Sequence, residues 1–150
     1  MWVIFEGLDK TGKTTLEWEL LKATNFKHVV IDRGPAGYLA FDRILKRGTK
    51  EGNESFIKQA KQVAESKEAL VIYCYANEYV VNERLAAHNE KQLQSDYDYH
   101  FMQKVYHSNV KHLYNEERTL MLDTSNRTID ECVKLILEKL KEVIPHDELY

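Results

Sequence analysis

At 150 residues, 43% of them hydrophobic, the chain is sized for one domain spanning 1–150 with a core of its own. A formal net charge of −3 gives no bulk attraction to a nucleic-acid backbone, so a nucleic-acid partner is not expected. No apolar run approaches the ~20 residues of a membrane-spanning helix, and Met1–Phe5 is too short and uncharged for a signal peptide. Cys74 and Cys132 are isolated thiols without metal-ligand spacing, which suits buried, reduced residues in a cytoplasmic protein.

In chain order, the apolar run Trp2–Phe5 predicts a first strand, followed at once by a helix over Lys13–Thr24. His28–Ile31 is the second strand. Phe56, Ile57, Ala60, Val63 and Ala64 then make an apolar stripe at helical spacing, ending near Lys67. Leu70–Tyr75 is the third strand, Asn77–Ala87 a helix, and Met102, Val105, Tyr106, Asn109 and Leu113 trace a face of another. Thr119–Leu122 is the fourth strand. The last helix has the clearest punctuation: Thr128 and Glu131 fit a capping box, Val133, Ile136, Leu140 and Val143 follow, and Pro145 stops it. The strand runs are nearly continuous rather than alternating, as in strands buried on both faces of a parallel sheet. Strand–helix alternation predicts an α/β three-layer fold with a mostly parallel, four-stranded sheet.

The segment from Gly7 to Thr14 fits G-x-x-x-x-G-K-[ST], directly after the first strand and before the first helix. Glycines there let the backbone turn so that successive N–H groups face phosphate oxygens, and the helix dipole adds to the attraction. Gly7, Thr11, Gly12, Lys13, Thr14 and Thr15 are therefore the expected ATP-binding residues, in a P-loop NTPase-type fold. Lys13 reaches the β- and γ-phosphates and the Thr14 hydroxyl is a ligand for Mg²⁺. His100, His107 and His112 lack metal-site spacing and are expected as solvated helix positions.

The wider string Phe5-Glu-Gly-Leu-Asp-Lys-Thr-Gly-Lys-Thr-Thr15 resembles the phosphate loop of thymidylate kinases, which carry a carboxylate inside the loop. The resemblance implies that Asp9 contacts the acceptor's sugar 3′-hydroxyl; turn chemistry is the other reading of that residue. Lys10 falls where some members carry an arginine that stabilises the transferring phosphoryl group, and a solvated lysine remains the alternative. Asp32-Arg33-Gly34-Pro35, continuing to Ala40-Phe41, is similar to the family's Asp-Arg-Tyr segment, although Gly34-Pro35 replaces its aromatic-containing stretch. This implies that Arg33 clamps the acceptor's phosphate and Asp32 holds Mg²⁺ through water. Arg84 lies near the family's arginine that opens the lid and covers adenine; the lid's further arginines have no counterpart here before Arg118, so transition-state charge would fall on Lys10 or Arg84. Tyr97-Asp98 is similar to an aromatic–acid pair after the lid, with a helix start as the alternative. Asp123–Arg127, including Asn126, matches by position the loop that cups adenine.

Only the seven residues 25–31 separate the first helix from Asp32, where family members carry a longer segment with the Phe/Arg grip on thymine. Residues on Tyr38–Arg47 and Glu54–Lys67 would have to supply base selectivity, with Tyr38, Phe41, Arg43 or Arg47 as candidates and core packing as the other role of Tyr38 and, above all, of Phe41. The expected activity is phosphorylation of a deoxynucleoside monophosphate, dTMP to dTDP, by ATP·Mg²⁺. The alternatives are a kinase of a hydroxyl acceptor, with Asp32 as base, and a nucleotide-binding module with little catalysis. A second copy of the chain is the open possibility for a protein partner.

Overall fold

The structure is a computed structural model and describes residues 1–87 and 98–150. Its centre is a four-stranded, all-parallel sheet in the order β2-β1-β3-β4, built from β1 (Trp2–Glu6), β2 (Val29–Asp32), β3 (Ala69–Tyr75) and β4 (Thr119–Asp123). β1 sits inside the sheet, its Ile4 level with Ile31 on one side and Val71 on the other. The first strand runs one residue past its predicted end, to Glu6, because that side chain is fully buried by polar partners described below. β2 is shifted one residue later than expected, since His28 leaves the ladder to donate from Nε2 to Leu149 O (2.9 Å).

Alternate residues of each central strand feed two separate cores, which is why the strand sequences read as unbroken apolar runs. On one face Val3, Phe5, Leu70, Ile72 and Cys74 pack against Leu16 and Leu20 of α1 (Lys13–Ala23) and Ile136 and Leu140 of α6 (Ile129–Val143). On the other, Ile4, Val71 and Tyr73 meet α2 (Pro35–Ile44), α4 (Glu78–Ala87) and α5 (Tyr99–Leu113). α3 (Lys50–Glu65) buries Ala60 on this side and pairs with α2 as a helical hairpin. Sheet and two helical layers give the α/β three-layer arrangement that the strand–helix alternation predicts.

α2 has no counterpart among the predicted helices. Its signals are Pro35 at the first helical position and the buried set Ala36, Leu39, Ala40 and Ile44 at helical spacing. Among the described residues, no helix is long and apolar enough to cross a membrane.

Candidate functional site

The chain leaves β1 at Gly7, whose φ of 140° suits glycine, and a Cβ there would lie 2.2 Å from Cys74 O. Lys10 and Gly12, both left-handed, then bend the backbone back toward α1. Gly12 is the N-cap of α1, makes no side-chain cap, and is followed by no acidic residue in the first turn. The first bond of the helix runs from Leu16 N to Gly12 O (3.1 Å), so the N–H groups of Lys13, Thr14 and Thr15 have no intrahelical acceptor. The other helices are closed by the protein itself. Thr49, Asn77 and Asp98 accept from backbone N–H groups at the starts of α3, α4 and α5, and Thr128 with Glu131 makes the full capping box of α6. An uncapped start carrying the positive end of a helix dipole is suited to an anion.

The loop's carbonyls are held from below. Arg84 of α4 donates to Lys10 O (2.8 Å) and to Thr124 O (2.9 Å), while the Thr124 hydroxyl donates to Thr11 O (2.7 Å). A peptide's C=O and N–H point in opposite directions, so fixing these carbonyls turns the N–H groups of Thr11 and Gly12 the other way. The Thr11 hydroxyl is engaged within the loop, donating to Leu8 O (2.7 Å). Arg84, expected over adenine, is thus placed against the loop backbone. Asn126 is exposed just beyond Thr124, and Thr14 and Thr15 are exposed at the first turn of α1. Tyr97 lies outside the described residues.

At the end of β2 the Arg33 amide continues the ladder to Phe5 O (2.7 Å), although Arg33 itself takes a left-handed φ of 69°. A non-glycine residue held there stores about 1–3 kcal/mol of strain. Its guanidinium lies 4.1 Å above the Phe41 ring, and Nη2 stands 3.7 Å from Oδ1 of the exposed Asp9. Its Nε is buried with no hydrogen-bond partner among the described residues. Beside it, Lys13 Nζ donates to Asp32 Oδ1 at 3.3 Å, joining a buried lysine to a largely exposed carboxylate. Asp9, Lys13, Asp32 and Arg33 therefore meet at one mouth, above the carboxyl ends of β1 and β2, where ligands bind in open parallel sheets.

Phe41 is half-buried, with its edge toward Tyr106. Tyr38, one turn earlier on α2, is exposed and stacks on Phe56 of α3 with centroids 5.7 Å apart. Arg43 donates to Asn109 Oδ1 and Arg47 to Asp42 Oδ1, so both are occupied in contacts within the protein. His107 packs its ring against Tyr73 and Tyr75, His100 is paired with Glu78, and His112 is exposed.

Two residues of this region carry no role in the sequence reading. Glu6 is fully buried and accepts four hydrogen bonds: Gly34 N and Tyr106 OH at Oε1, Gly37 N and Tyr114 OH at Oε2 (2.6–3.0 Å). Burial pushes its pKa up, and these four donors pull it back. A Cβ on Gly37 would stand 2.5 Å from Glu6 Oε1 and 2.7 Å from Arg33 Cγ, so glycine there lets carboxylate, helix start and arginine pack together. The sequence signal was an acidic residue ending an otherwise apolar strand. Glu17, one turn after Lys13, is raised to about 7 by burial, then by its hydrogen bond with Asp32 and that residue's charge, against the pull of Lys13. Asp32 is lowered despite burial, by the Glu17 hydrogen bond and by Lys13 and Arg33. Glu17 Oε1 is buried and finds no donor. The same contact between the two carboxyl groups thus raises Glu17 and lowers Asp32.

No protein-family model and no curated protein matches the chain. Among solved structures it is similar to the YorR protein of Bacillus subtilis in complex with phosphorylated GDP, at 19% identity over 97% of this chain and 100% of that one (TM-score 0.72). It is similar to thymidylate kinase from Candida albicans at 12% identity, covering 94% of this chain and 91% of that one (TM-score 0.60). Deoxyadenosine kinase from M. mycoides with bound dCTP shares 13% identity over 95% and 100% of the two chains (TM-score 0.63). At these identities the likeness establishes a shared fold, an α/β arrangement around a parallel sheet.

Proposed function

We propose that the chain is an ATP-dependent kinase of a nucleotide, with a deoxynucleoside monophosphate, dTMP foremost, as acceptor. The observation that carries this reading is the 3.7 Å approach of Arg33 to Asp9, a contact between the phosphate loop and the corner after β2. A loop that only bound ATP would have no need of a second cationic arm facing it. The three kinds of structural relative, a GDP complex, a thymidylate kinase and a deoxyadenosine kinase, support nucleotide chemistry for the fold.

In the proposed reaction a phosphate oxygen of the acceptor attacks the γ-phosphorus of ATP and the β,γ-bridging P–O bond breaks. ADP leaves and the acceptor becomes a diphosphate. Lys13 neutralises the β- and γ-phosphates, the N–H groups at the start of α1 hold them, and Lys10 lies beside the transferring group. Arg33 holds the acceptor's phosphate with its planar fork and Asp9 takes the sugar 3′-hydroxyl. Arg84 acts at one remove, by fixing the loop. An acceptor phosphate is already ionised, so no general base is needed.

Asp32 and the Thr14 hydroxyl supply hard oxygen donors, which suit Mg²⁺, and the exposure of both leaves room for its waters. When bound, the ion neutralises charge on the phosphates. Asp32 is held below its ordinary range, which makes it a poor base for a hydroxyl acceptor and weighs toward a phosphate acceptor. ADP release measured against deoxynucleoside monophosphates, nucleosides and 5′-hydroxyl oligonucleotides tests the reading. Stimulation by monophosphates alone is expected; stimulation by a nucleoside or oligonucleotide alone would replace this acceptor class.

A further inference from the structure

Tyr38 and Phe56 stack face to face at an interplanar angle of 19°, and Tyr38 is left 45% exposed. This pair bridges α2 and α3 one helical turn from Phe41, the ring under the Arg33 guanidinium. A turn advances about 5 Å, comparable with the step from phosphate to base in a nucleoside monophosphate. Phe41 on α2 and Asn53 on α3 each lie three residues, about one turn, from that pair. Asn53 Oδ1 is buried and accepts no hydrogen bond from the described residues, a costly state for an amide oxygen inside a protein. Arg33, over Phe41, and the unsatisfied Asn53 amide thus each lie about one turn from the aromatic pair on the α2–α3 hairpin.

We propose that this hairpin is the acceptor's nucleobase subsite: the base stacks on the Tyr38–Phe56 pair and the Asn53 amide reads its hydrogen-bonding edge. The proposal rests on the nucleotide-kinase reading above and names the part of the chain that selects the base. The platform is tolerant, since every base has a π-face. Selectivity falls to Asn53, whose oxygen accepts an N–H that only some base edges present there. The ring pair contributes area and Arg33 contributes charge, so the two ends of the acceptor are held by separable groups.

The test uses direct binding by calorimetry and turnover by ADP release, with dTMP, dCMP, dAMP, dGMP and the base-free 2-deoxyribose 5-phosphate. The wild type is expected to bind at least one of the four nucleotides about tenfold or more tightly than the sugar phosphate, the scale of one base stack. Phe56→Leu, which keeps apolar bulk in the hairpin, should abolish that difference and leave sugar phosphate binding unchanged. Asn53→Ala should change the ranking of the four bases without weakening the sugar phosphate. Wild-type binding of all four nucleotides no tighter than the sugar phosphate overturns the proposal, as does an equal loss for nucleotides and sugar phosphate in Phe56→Leu. A ranking unchanged in Asn53→Ala removes its role as reader. Should the wild type bind nucleotides through the ring pair yet transfer no phosphate to them, the subsite stands and the kinase reading falls.

Discussion

Two helices, α1 and α2, begin in the same way and end up with opposite chemistry. Each follows a strand of the parallel sheet, each has glycine at its N-cap, and each points its positive end at the same mouth. At α1 the first-turn N–H groups are left without a protein acceptor among the described residues. At α2 the equivalent place is already filled, because Glu6 reaches over from β1 to accept from Gly34 N and Gly37 N. The protein's own carboxylate stands where an anionic ligand could otherwise sit. One helix start therefore offers backbone to a phosphate. The other can contribute only side chains, and Arg33, at its threshold, is the cation it presents. Donor and acceptor would be gripped by different means, backbone against side chain, within a few ångströms.

The sharpest way to break this contrast is at Lys13, the side chain that completes the backbone site. Lys13→Ala should lower turnover by about 10²–10³-fold, the range for losing one preorganised charge at a developing anion. ATP binding by calorimetry should weaken far less, because the amides of the loop remain. Turnover within a few-fold of wild type would remove Lys13 from the chemistry. At α2, Glu6→Gln keeps the shape but leaves one backbone N–H facing an amide NH₂, with one tyrosine hydroxyl also deprived. Denaturant unfolding should show a loss of about 2–3 kcal/mol for those unmet buried donors. Should the variant unfold like the wild type, the carboxylate is not what closes α2.

That contrast also explains what could be read from the sequence. The shape of the Gly7–Thr14 loop was legible because it depends on backbone: Gly7 and Gly12 take the positive φ that their glycines mark, and their spacing to Lys13 survives in one dimension. The four strands were legible as unbroken apolar runs, and their limits slipped by one residue: at Glu6 and His28, where polar contacts took over, and also at Ala69 and Asp123, which join β3 and β4. α2 was missed because only four of its ten residues are apolar core at helical spacing, set beside glycines that read as a turn. The Glu6 network was out of reach since its partners lie 28 to 108 residues away. Nothing in the local string around Asn53 or Phe56 ties them to Arg33; the α2–α3 hairpin does that.

A smaller effect separates strain from function at Arg33. Arg33→Gly removes the guanidinium but keeps the left-handed backbone, which glycine adopts freely. Relief of strain and loss of the contact with Phe41 oppose each other, so stability should stay within about 1 kcal/mol of wild type. The KM for the acceptor should nevertheless rise about tenfold or more, for lost charge-assisted hydrogen bonds. ATP affinity should not change. A parallel loss of ATP binding would show that Arg33 serves the donor, and the division between the two helix starts would fail.

The smallest expected effect is also the one that reads the electrostatics of the mouth directly. Glu17 is raised to about 7 from an ordinary 4.5, so between those values the folded chain holds a proton that the unfolded chain releases. Stability contributed by this group is therefore full at low pH and is lost as pH rises toward and through 7. Asp32, which is lowered, acts in the opposite direction and at more acidic pH, as its carboxylate is protonated on going down. In metal-free protein the thermal midpoint should fall modestly from pH 5 to pH 8, by less than the bare shift implies, because the site is partly solvated. Glu17→Gln holds the neutral form at every pH and should flatten that slope while leaving the midpoint at pH 5 nearly unchanged. If the slope survives the substitution, the proton does not reside on Glu17, and Asp32 would be the member of the pair that titrates near neutrality. It would then be a competent base, and the case for a phosphate acceptor over a hydroxyl one would lose its electrostatic support.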